Sequence, residues 1–375
     1  MIKPFKETKV LGKIKLSTMK KYFSFLLISI LFLNCSSDSD SPEENPSDSM
    51  YFPPISGTTW ETKSMADLGW NESEVQPLLN YLEEKNTKGF IILVNGRIVM
   101  ENYFNDHNAN LPWYWASAGK TLTTATIGIA QQEGLLSIND KVSDYLGIGW
   151  TSAPTNKENL ITNKHLLSMT SGLDDTFGDG NEPNDLQYKA DAGTRWAYHN
   201  VFEKLQDVIA NASNQTFDSY FTSKLKSKIG MTGAWIESDE FNVYWSTTRS
   251  TARFGLLSLN KGKWNSEVIV PEAYMLEAMS TSQTINNSYG YLWWLNGKAN
   301  YRLPQTQLQF PGSLIPNGPA DMVCGLGKND QKIYVIPSKK MVVIRLGDVA
   351  NPDNPTFALS GFDNELWQKI NAVIN

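Results

Sequence analysis

Two apolar runs near opposite ends of the chain have the pattern of β-hairpins. Residues 90–104 read FIILVNGRIVMENYF, with Asn95-Gly96 between two β-rich halves. An Asn-Gly pair in that position is the strongest short signal for a tight hairpin turn, because both residues tolerate a positive φ. Residues 332–346, KIYVIPSKKMVVIRL, predict a second hairpin. The pattern therefore places antiparallel strands near both ends of the folded part of the chain.

Between these runs the apolar positions recur mainly with a helical period. One helix is predicted to begin near residue 117 and to end at Gly134, with apolar residues on one face at Ala118, Leu122, Ala125 and Ile129. Helices are also predicted over residues 200–212, 216–230, 250–262 and 271–280. At the C-terminus, apolar spacings of four, four and three predict an amphipathic helix through Phe362, Leu366, Ile370 and Val373.

Strand-forming ends around a helical centre predict one α+β domain over residues 51–375. The two ends would share an antiparallel sheet flanked by helices, in an α/β lobe of about residues 51–116 and 265–375. Residues 117–264 would form a mostly helical lobe. No second linker or internal repeat follows residue 51, and a chain of 375 residues is long enough to bury a large core.

The first fifty residues predict export rather than a folded domain. Residues 22–33 are twelve apolar or small residues behind Lys20 and Lys21. Such a run is too short to span a bilayer as a mature helix, but it suits the core of a signal peptide. The true start would be Met1 or Met19.

The residues after this apolar run, LNCSS, resemble a loose bacterial lipobox. Residues 1–35 would then form the signal-peptide region, and Cys35 would carry the lipid that anchors the exported protein to the bacterial cell envelope. An ordinary cleaved signal peptide is the alternative. Residues 36–50 hold five acids and no bases, a composition that predicts a flexible acidic tether.

Composition and charge exclude several classes of protein. The formal net charge of −6 argues against a nucleic-acid partner, and membrane contact would come from the N-terminal lipid only. Two cysteines, Cys35 and Cys324, exclude a disulfide scaffold and a cysteine-rich metal site. Three scattered histidines, with none after His199, leave no basis for a metal centre or for the late histidine of an α/β-hydrolase. We expect a monomer without metal or organic cofactor.

Ser117 and Lys120 form an S-x-x-K motif where an aromatic segment meets the first long helix. Residues at i and i+3 share a helix face, and a serine at a helix N-terminus gains from the positive end of the helix dipole. A lysine so close can take the serine proton if burial lowers its pKa. Three other S-x-x-K matches occur, but only Ser117 opens an apolar helix.

Two later segments carry further candidate chemistry. Tyr198 and Asn200 precede a predicted helix, and Tyr198 would act as a general base if nearby lysines depressed its pKa. A packed aromatic ring with a helix-capping asparagine is an equally good interpretation. Lys328 lies in a glycine-rich segment directly before a predicted strand, where it would add positive charge to a cleft or simply remain in solvent.

Taken in order, the motifs S-A-G-K, Y-H-N and K-N-D resemble those of the serine β-lactamase-like hydrolases. These include class C β-lactamases, penicillin-binding proteins, and related esterases and amide hydrolases, with the pattern S-x-x-K, Y-x-N, then K-x-G or H-x-G before a strand. Collinear blocks from GRIVMENYF to IYVIPSKKMVVIRLG extend the similarity over nearly the whole folded part. The resemblance implies a β-lactamase/transpeptidase-like fold.

The resemblance also implies roles for individual residues. Ser117 would be the acylated nucleophile, and Lys120 and Tyr198 would share the general base and acid work. The oxyanion hole would be formed by the backbone N–H groups of Ser117 and Gln331. The residues implied to hold the network and the substrate are Asn200, Lys328 and Asn329.

One position departs from the family pattern. Asp330 stands where the K-x-G motif has glycine, so it adds bulk and negative charge near Lys328. If Asp330 faces the cleft, the carboxylate of a β-lactam would be repelled. On that condition we expect that antibiotics are not the natural substrates.

The sequence therefore predicts an exported serine hydrolase that cleaves an ester or amide bond of a small molecule or peptide through an acyl-enzyme. A surface-tethered penicillin-binding-protein relative that holds a cell-wall fragment or peptide with little turnover is the main alternative. A true β-lactamase is the second alternative.

Overall fold

A computed structural model describes residues 49–238, 241–353 and 361–375. The predicted signal peptide, Cys35 and nearly all of the predicted tether lie outside the described residues. The strands are β1 (Thr87–Val94), β2 (Arg97–Tyr103), β3 (Trp113–Tyr114), β4 (Ala234–Ser238), β5 (Phe241–Ser246), β6 (Lys263–Trp264), β7 (Glu267–Val268), β8 (Trp294–Leu295), β9 (Asn300–Tyr301), β10 (Phe310–Pro311), β11 (Val323–Gly327), β12 (Gln331–Ile336) and β13 (Met341–Gly347).

The α-helices are α1 (Val75–Glu84), α2 (Lys120–Gln132), α3 (Ser143–Leu146), α4 (Thr155–Glu158), α5 (Asn163–Leu167), α6 (Lys204–Ser213), α7 (Phe217–Phe221), α8 (Thr248–Leu259), α9 (Glu272–Ala278) and α10 (Gly361–Ile374). None of the helices in the described ranges combines the length and the apolar composition needed to cross a bilayer.

The two predicted hairpins lie side by side in one six-stranded antiparallel sheet, in the order β2-β1-β13-β12-β11-β8. Asn95 and Gly96 join β1 to β2 with φ values of 50° and 78°, as expected of an Asn-Gly turn. Strand β13 pairs with β1 on one side and with β12 on the other, so the two ends of the folded chain share one sheet. The prediction of an α+β fold with this shared sheet is confirmed.

Helices cover both faces of this sheet. Helix α8 packs closely on one face, because a Cβ added at Gly255 would come within 2.5 Å of Val342 Cγ1. Side chains alternate between the faces of a strand, and Arg345, three residues further on, lies over the ring of Phe362 in α10 at 5.1 Å. The apolar face predicted for the C-terminal helix is buried against the sheet and α1.

The helical part is built around α2, whose residues are buried from Lys120 through Ala130. Gly128 lets α2 approach α9, since a Cβ there would lie 2.4 Å from the ring of Tyr274. Two observations differ from the predicted lobe of residues 117–264. Residues 234–238 and 241–246 form β4 and β5, which make a second sheet with β3, and α8 packs on the large sheet rather than with the other helices.

Candidate active site

The three predicted motifs meet at one cavity of about 230 Å³. Its wall includes four of the predicted site residues, Ser117, Lys120, Asn200 and Lys328. It also includes residues that the sequence did not single out: Tyr114, Ala116, Asp179, Phe202, Glu203, Phe241, Asn242 and Val243. In the described ranges, no group of three or more histidine, cysteine, aspartate or glutamate side chains could hold a metal ion.

Ser117 lies in a short 3₁₀ turn, Ala116–Gly119, that leads directly into α2. The Nζ of Lys120 donates a hydrogen bond of 2.7 Å to the Oγ of Ser117. Ala116 has a φ of 46°, a left-handed conformation that costs an alanine about 1–3 kcal/mol. Backbone strain of this kind is concentrated at functional sites, and here it falls on the residue directly before Ser117.

Burial controls the charge of Lys120, whose side chain is only 2% exposed. Desolvation lowers the pKa of Lys120 to about 7, against the opposing effect of the Glu203 and Asp179 carboxylates. The ring of Phe202 lies 4.2 Å from the Nζ and the ring of Tyr198 lies 5.2 Å away. A substantial fraction of Lys120 is therefore neutral near pH 7 and able to accept a proton.

Tyr198 is hydrogen-bonded to Ser117 inside an aromatic cluster with Trp196, Tyr289 and Trp294. Burial raises the pKa of Tyr198 to about 12, although hydrogen bonds to Ser117 and Trp294 oppose that rise. The sequence-based condition for a tyrosine base, a pKa depressed by lysines, is therefore not met. Tyr198 keeps its proton near neutral pH and is suited to donating it, which leaves Lys120 as the better base.

Asn200 and His199 form hydrogen bonds to the loop that contributes Asp179 to the wall of the cavity. The Nδ2 of Asn200 donates a hydrogen bond of 2.9 Å to the backbone oxygen of Asp179. His199 accepts the N–H of Val201 at 3.1 Å, and its other ring nitrogen lies 3.1 Å from the oxygen of Gly178. The Y-x-N segment thus positions the loop that brings Asp179 to the cavity.

The hairpin loop between β11 and β12 carries the third motif. Lys328 is exposed at the cavity wall, while the Nδ2 of Asn329 donates a 2.8 Å hydrogen bond to the hydroxyl of Tyr114. Asn329 and Asp330 have φ values of 59° and 61°, and asparagine and aspartate tolerate this region better than most residues. The loop therefore keeps its tight turn without the family glycine.

Asp330 does not face the cavity. Its side chain is buried, with Oδ1 3.2 Å from the Nζ of Lys332 and Oδ2 accepting the N–H of Ala350 at 3.0 Å. β-Lactam antibiotics were expected to be excluded as natural substrates only if Asp330 faced the cleft, and that condition is not met. The tertiary structure uses this aspartate as a buried anchor for the loop.

The hydrogen-bond pattern of β11 bears on the predicted oxyanion hole. The oxygen of Met322 accepts the N–H of Asn296 at 2.9 Å, on the β8 side of the strand. Backbone groups in an antiparallel ladder alternate in direction, so Cys324 and Leu326 also point to that side, whereas Gly327 points to β12 and its partner Gln331. The N–H of Gln331 is thereby directed at β11 and not into the cavity.

Leu326 is instead the better placed backbone donor. Pairing with β8 ends at Cys324, so the N–H of Leu326 lies on the uncovered edge of β11. This strand is pressed against the turn that carries Ser117, because a Cβ at Gly327 would come 2.4 Å from the oxygen of Trp115 and 3.0 Å from the nitrogen of Ala118. The register replaces Gln331 with Leu326 as the candidate partner of the Ser117 N–H.

Because of this close approach, a side chain added at Gly327 should disturb the site. Gly327→Ala should push β11 away from the nucleophile turn and reduce ester turnover by about 10²-fold, since a misplacement of about 1 Å can cost that much. Gly325→Ala on the same strand is the matched control, because its nearest non-neighbouring atom is a methyl of Thr121 at 3.3 Å. Equal activity of the two purified variants would contradict the assigned contact.

Glu203 is the functional candidate that sequence reasoning missed. It ends the 3₁₀ turn Asn200–Glu203 and lines the cavity, yet it is only 8% exposed. Its spacing from Asn200, i to i+3, is the same as that between Ser117 and Lys120, and that spacing was the available signal. In the sequence it lay inside a predicted helix, where a glutamate is usually solvated.

Comparison with known proteins agrees with this fold. The sequence profile of the Beta-lactamase family matches residues 82–355, and the chain belongs to this family. A protein of unknown function from Alkalihalophilus pseudofirmus is 25% identical over 294 residues, which is 68% of this chain and 81% of that protein.

Two solved structures illustrate the range of the fold. A provisionally named 6-aminohexanoate-dimer hydrolase of Bacillus anthracis superposes with a TM-score of 0.64 at 19% identity, covering 86% of this chain and 88% of that chain. A family VIII carboxylesterase superposes with a TM-score of 0.60 at 14% identity, covering 79% and 96% respectively. The predicted family resemblance is confirmed.

Proposed function

We propose that this protein is a serine hydrolase that cleaves an ester or amide bond through an acyl-enzyme on Ser117. The observation that carries the proposal is the 2.7 Å contact between the Ser117 hydroxyl and a buried lysine. Because burial lowers the pKa of Lys120 to about 7, this lysine is able to serve as a base near neutral pH. Lysine is almost never fully buried unless it is paired, so a buried lysine in contact with a serine hydroxyl at a cavity wall is informative.

The proposed reaction assigns one task to each group. Neutral Lys120 accepts the proton of Ser117 as the Oγ attacks the carbonyl carbon of the substrate. The N–H groups of Ser117 and Leu326 stabilise the oxyanion, at about 3 kcal/mol for each donor. Tyr198 donates a proton to the leaving oxygen or nitrogen and recovers one from Lys120. Water then hydrolyses the acyl-serine.

The proposed substrates are esters and amides as a class rather than one compound. The solved structures that share the fold include a provisionally named 6-aminohexanoate-dimer hydrolase and a carboxylesterase, which supports testing both amide and ester bonds. A β-lactamase is the second candidate, because Asp330 is turned into the interior and Lys328 is left exposed at the cavity. That arrangement would allow a substrate carboxylate to meet a cation.

The proposed nucleophile is tested by covalent labelling. A fluorophosphonate probe should label the wild-type protein, and Ser117→Ala should lose the label together with all turnover. Ser223→Ala is the matched control, since Ser223 belongs to another S-x-x-K sequence but bonds the backbone oxygen of Tyr220 outside this cavity. Absence of labelling of the wild type at any probe concentration would favour the alternative of a binding protein.

A substrate panel then separates the activities. Purified protein would be offered p-nitrophenyl esters, D-amino-acid amides, linear aminohexanoate dimers and nitrocefin. Turnover of the esters or amides, lost in Ser117→Ala, supports the proposal. Efficient hydrolysis of nitrocefin alone would make the protein a β-lactamase.

A further inference from the structure

Glu203 stands on the wall between the site cavity and a second, larger cavity of about 600 Å³. Its carboxylate is held in place: the Nδ2 of Asn181 donates to Oε2, and the N–H of Asn242 donates to Oε1 at 3.1 Å. A buried carboxylate fixed by two donors has a defined position and is shielded from solvent. Its charge therefore acts strongly on whatever cation lies nearby.

Lys120 is the cation in question. Its Nζ lies 4.2 Å from the ring of Phe202, the residue that precedes Glu203 in the same 3₁₀ turn. Two carboxylates interact with Lys120, those of Glu203 and Asp179. Asp179 is exposed, so solvent screens its charge, whereas Glu203 is nine-tenths buried.

We propose that Glu203 is a positioning residue that acts through Lys120, by supplying the buried carboxylate that compensates the ammonium form of the lysine beside Ser117. This inference rests on the proposed function, in which Lys120 is the base. Without the carboxylate, the ammonium form would be less favoured in the cavity. A lower pH would then be needed to protonate Lys120 fully and so to stop the reaction.

The charges around Glu203 agree with this assignment. Burial raises the pKa of Glu203 to about 7, while hydrogen bonds and the charge of Lys120 oppose that rise and Asp207 adds to it. Lys120 faces it from the site cavity. The groups that share the wall of the larger cavity with Glu203 are Glu182, Asp185, Lys204, Asp207, Asp218 and Glu237. Five of these six are acidic and the sixth, Lys204, lies 3.4 Å from Asp207, so Lys120 is the cation that favours the ionised form of Glu203.

The test is a direct titration of Lys120 in the full-length protein. In protein labelled with ¹³Cε-lysine, the Lys120 resonance is identified by its loss in Lys120→Met and followed with pH. Glu203→Gln should move the midpoint down by about one pH unit, a tenfold change in proton concentration. Asp207→Asn is the matched control, since it removes one exposed carboxylate from the next helical turn and should not move the midpoint down. A midpoint that stays or rises in Glu203→Gln overturns the proposal.

Two further measurements keep the result interpretable. The acid limb of kcat/KM should move down by the same amount in Glu203→Gln and return towards the wild-type position in Glu203→Asp. If Glu203→Gln does not fold, the reciprocal titration decides: the Glu203 carboxyl should titrate at higher pH in Lys120→Met than in the wild type, and an unchanged value refutes the coupling. The titrations need no turnover, so an unlabelled Ser117 would refute the proposed function without affecting this inference.

Discussion

Replacing Lys120 by methionine should reduce the rate of acyl-enzyme formation by about 10²–10⁴-fold, the contribution typical of a positioned general base. The methionine keeps the volume of the lysine stem but cannot accept the Ser117 proton. The rate of fluorophosphonate labelling and the turnover of a p-nitrophenyl ester measure the loss. Thermal unfolding should show that the variant remains folded, since removing a buried ammonium also removes its desolvation cost.

Lys226→Met is the matched control for this variant. Lys226 closes another S-x-x-K sequence, but its Nζ donates to the backbone oxygen of Gly233 at 3.1 Å and lies outside the site cavity. It should leave labelling and turnover unchanged. Retained turnover in Lys120→Met would refute the role of Lys120 as the base.

The same assignment sets the pH dependence. Burial lowers the pKa of Lys120 to about 7, so below that pH the side chain is an ammonium group and has no free electron pair. Activity should therefore rise with pH through about 7 in the wild type. A pH profile without this limb, measured on kcat/KM, would argue against Lys120 as the group that must be deprotonated.

The largest expected effect on stability lies beneath the β11–β12 loop. The Nζ of Lys332 is 2.9 Å from Asp363 Oδ2, and the hydroxyl of Tyr334 donates to Asp363 Oδ1 at 2.6 Å. Lys332 and Asp363 are both fully buried. Asp363→Asn should lower the free energy of unfolding by about 3 kcal/mol, because it removes one of two carboxylates that compensate the buried charge of Lys332 and leaves Asp330 to do so.

Urea denaturation measures this loss, and an exposed ion pair provides the control. Lys228 and Glu267 are 2.9 Å apart but about half exposed, so Glu267→Gln should cost no more than about 1 kcal/mol. A loss below 1 kcal/mol for Asp363→Asn would mean that the buried cluster is not a major contributor to stability. Because Asp363 connects α10 to the sheet and Asp330 connects the loop to Lys332, the variant should also loosen the loop that carries Lys328.

The local pattern of apolar and polar residues was sufficient to predict much of the fold. The Asn95-Gly96 turn, the alternation of the second hairpin and the apolar face of α10 depend on residues close together in sequence, and all three appear as predicted. The order of the three motifs, together with the collinear blocks around them, was enough to identify the family. The turn, the hairpin and the helix face depend only on backbone preferences and hydrophobic periodicity, which operate over a few residues.

Three features of the site depend on contacts between segments that are distant in sequence. These are the inward turn of Asp330, the choice of Leu326 over Gln331, and the placement of Glu203 beside Lys120. Asp330 turns inward because the N–H of Ala350, 20 residues later, donates to its Oδ2, and because Asp363 of α10 helps to hold its partner Lys332 in the interior. The donor on β11 is decided by where its pairing with β8 ends.

The sequence by itself therefore determined the two hairpins, the longer helices and the set of polar residues from which a site could be built. Tertiary structure alone decided which of those residues are buried, and burial is what lowers the pKa of Lys120 and raises that of Tyr198. The division has one physical reason. Desolvation and strand register are properties of packed neighbours, and those neighbours are tens to hundreds of residues away along the chain.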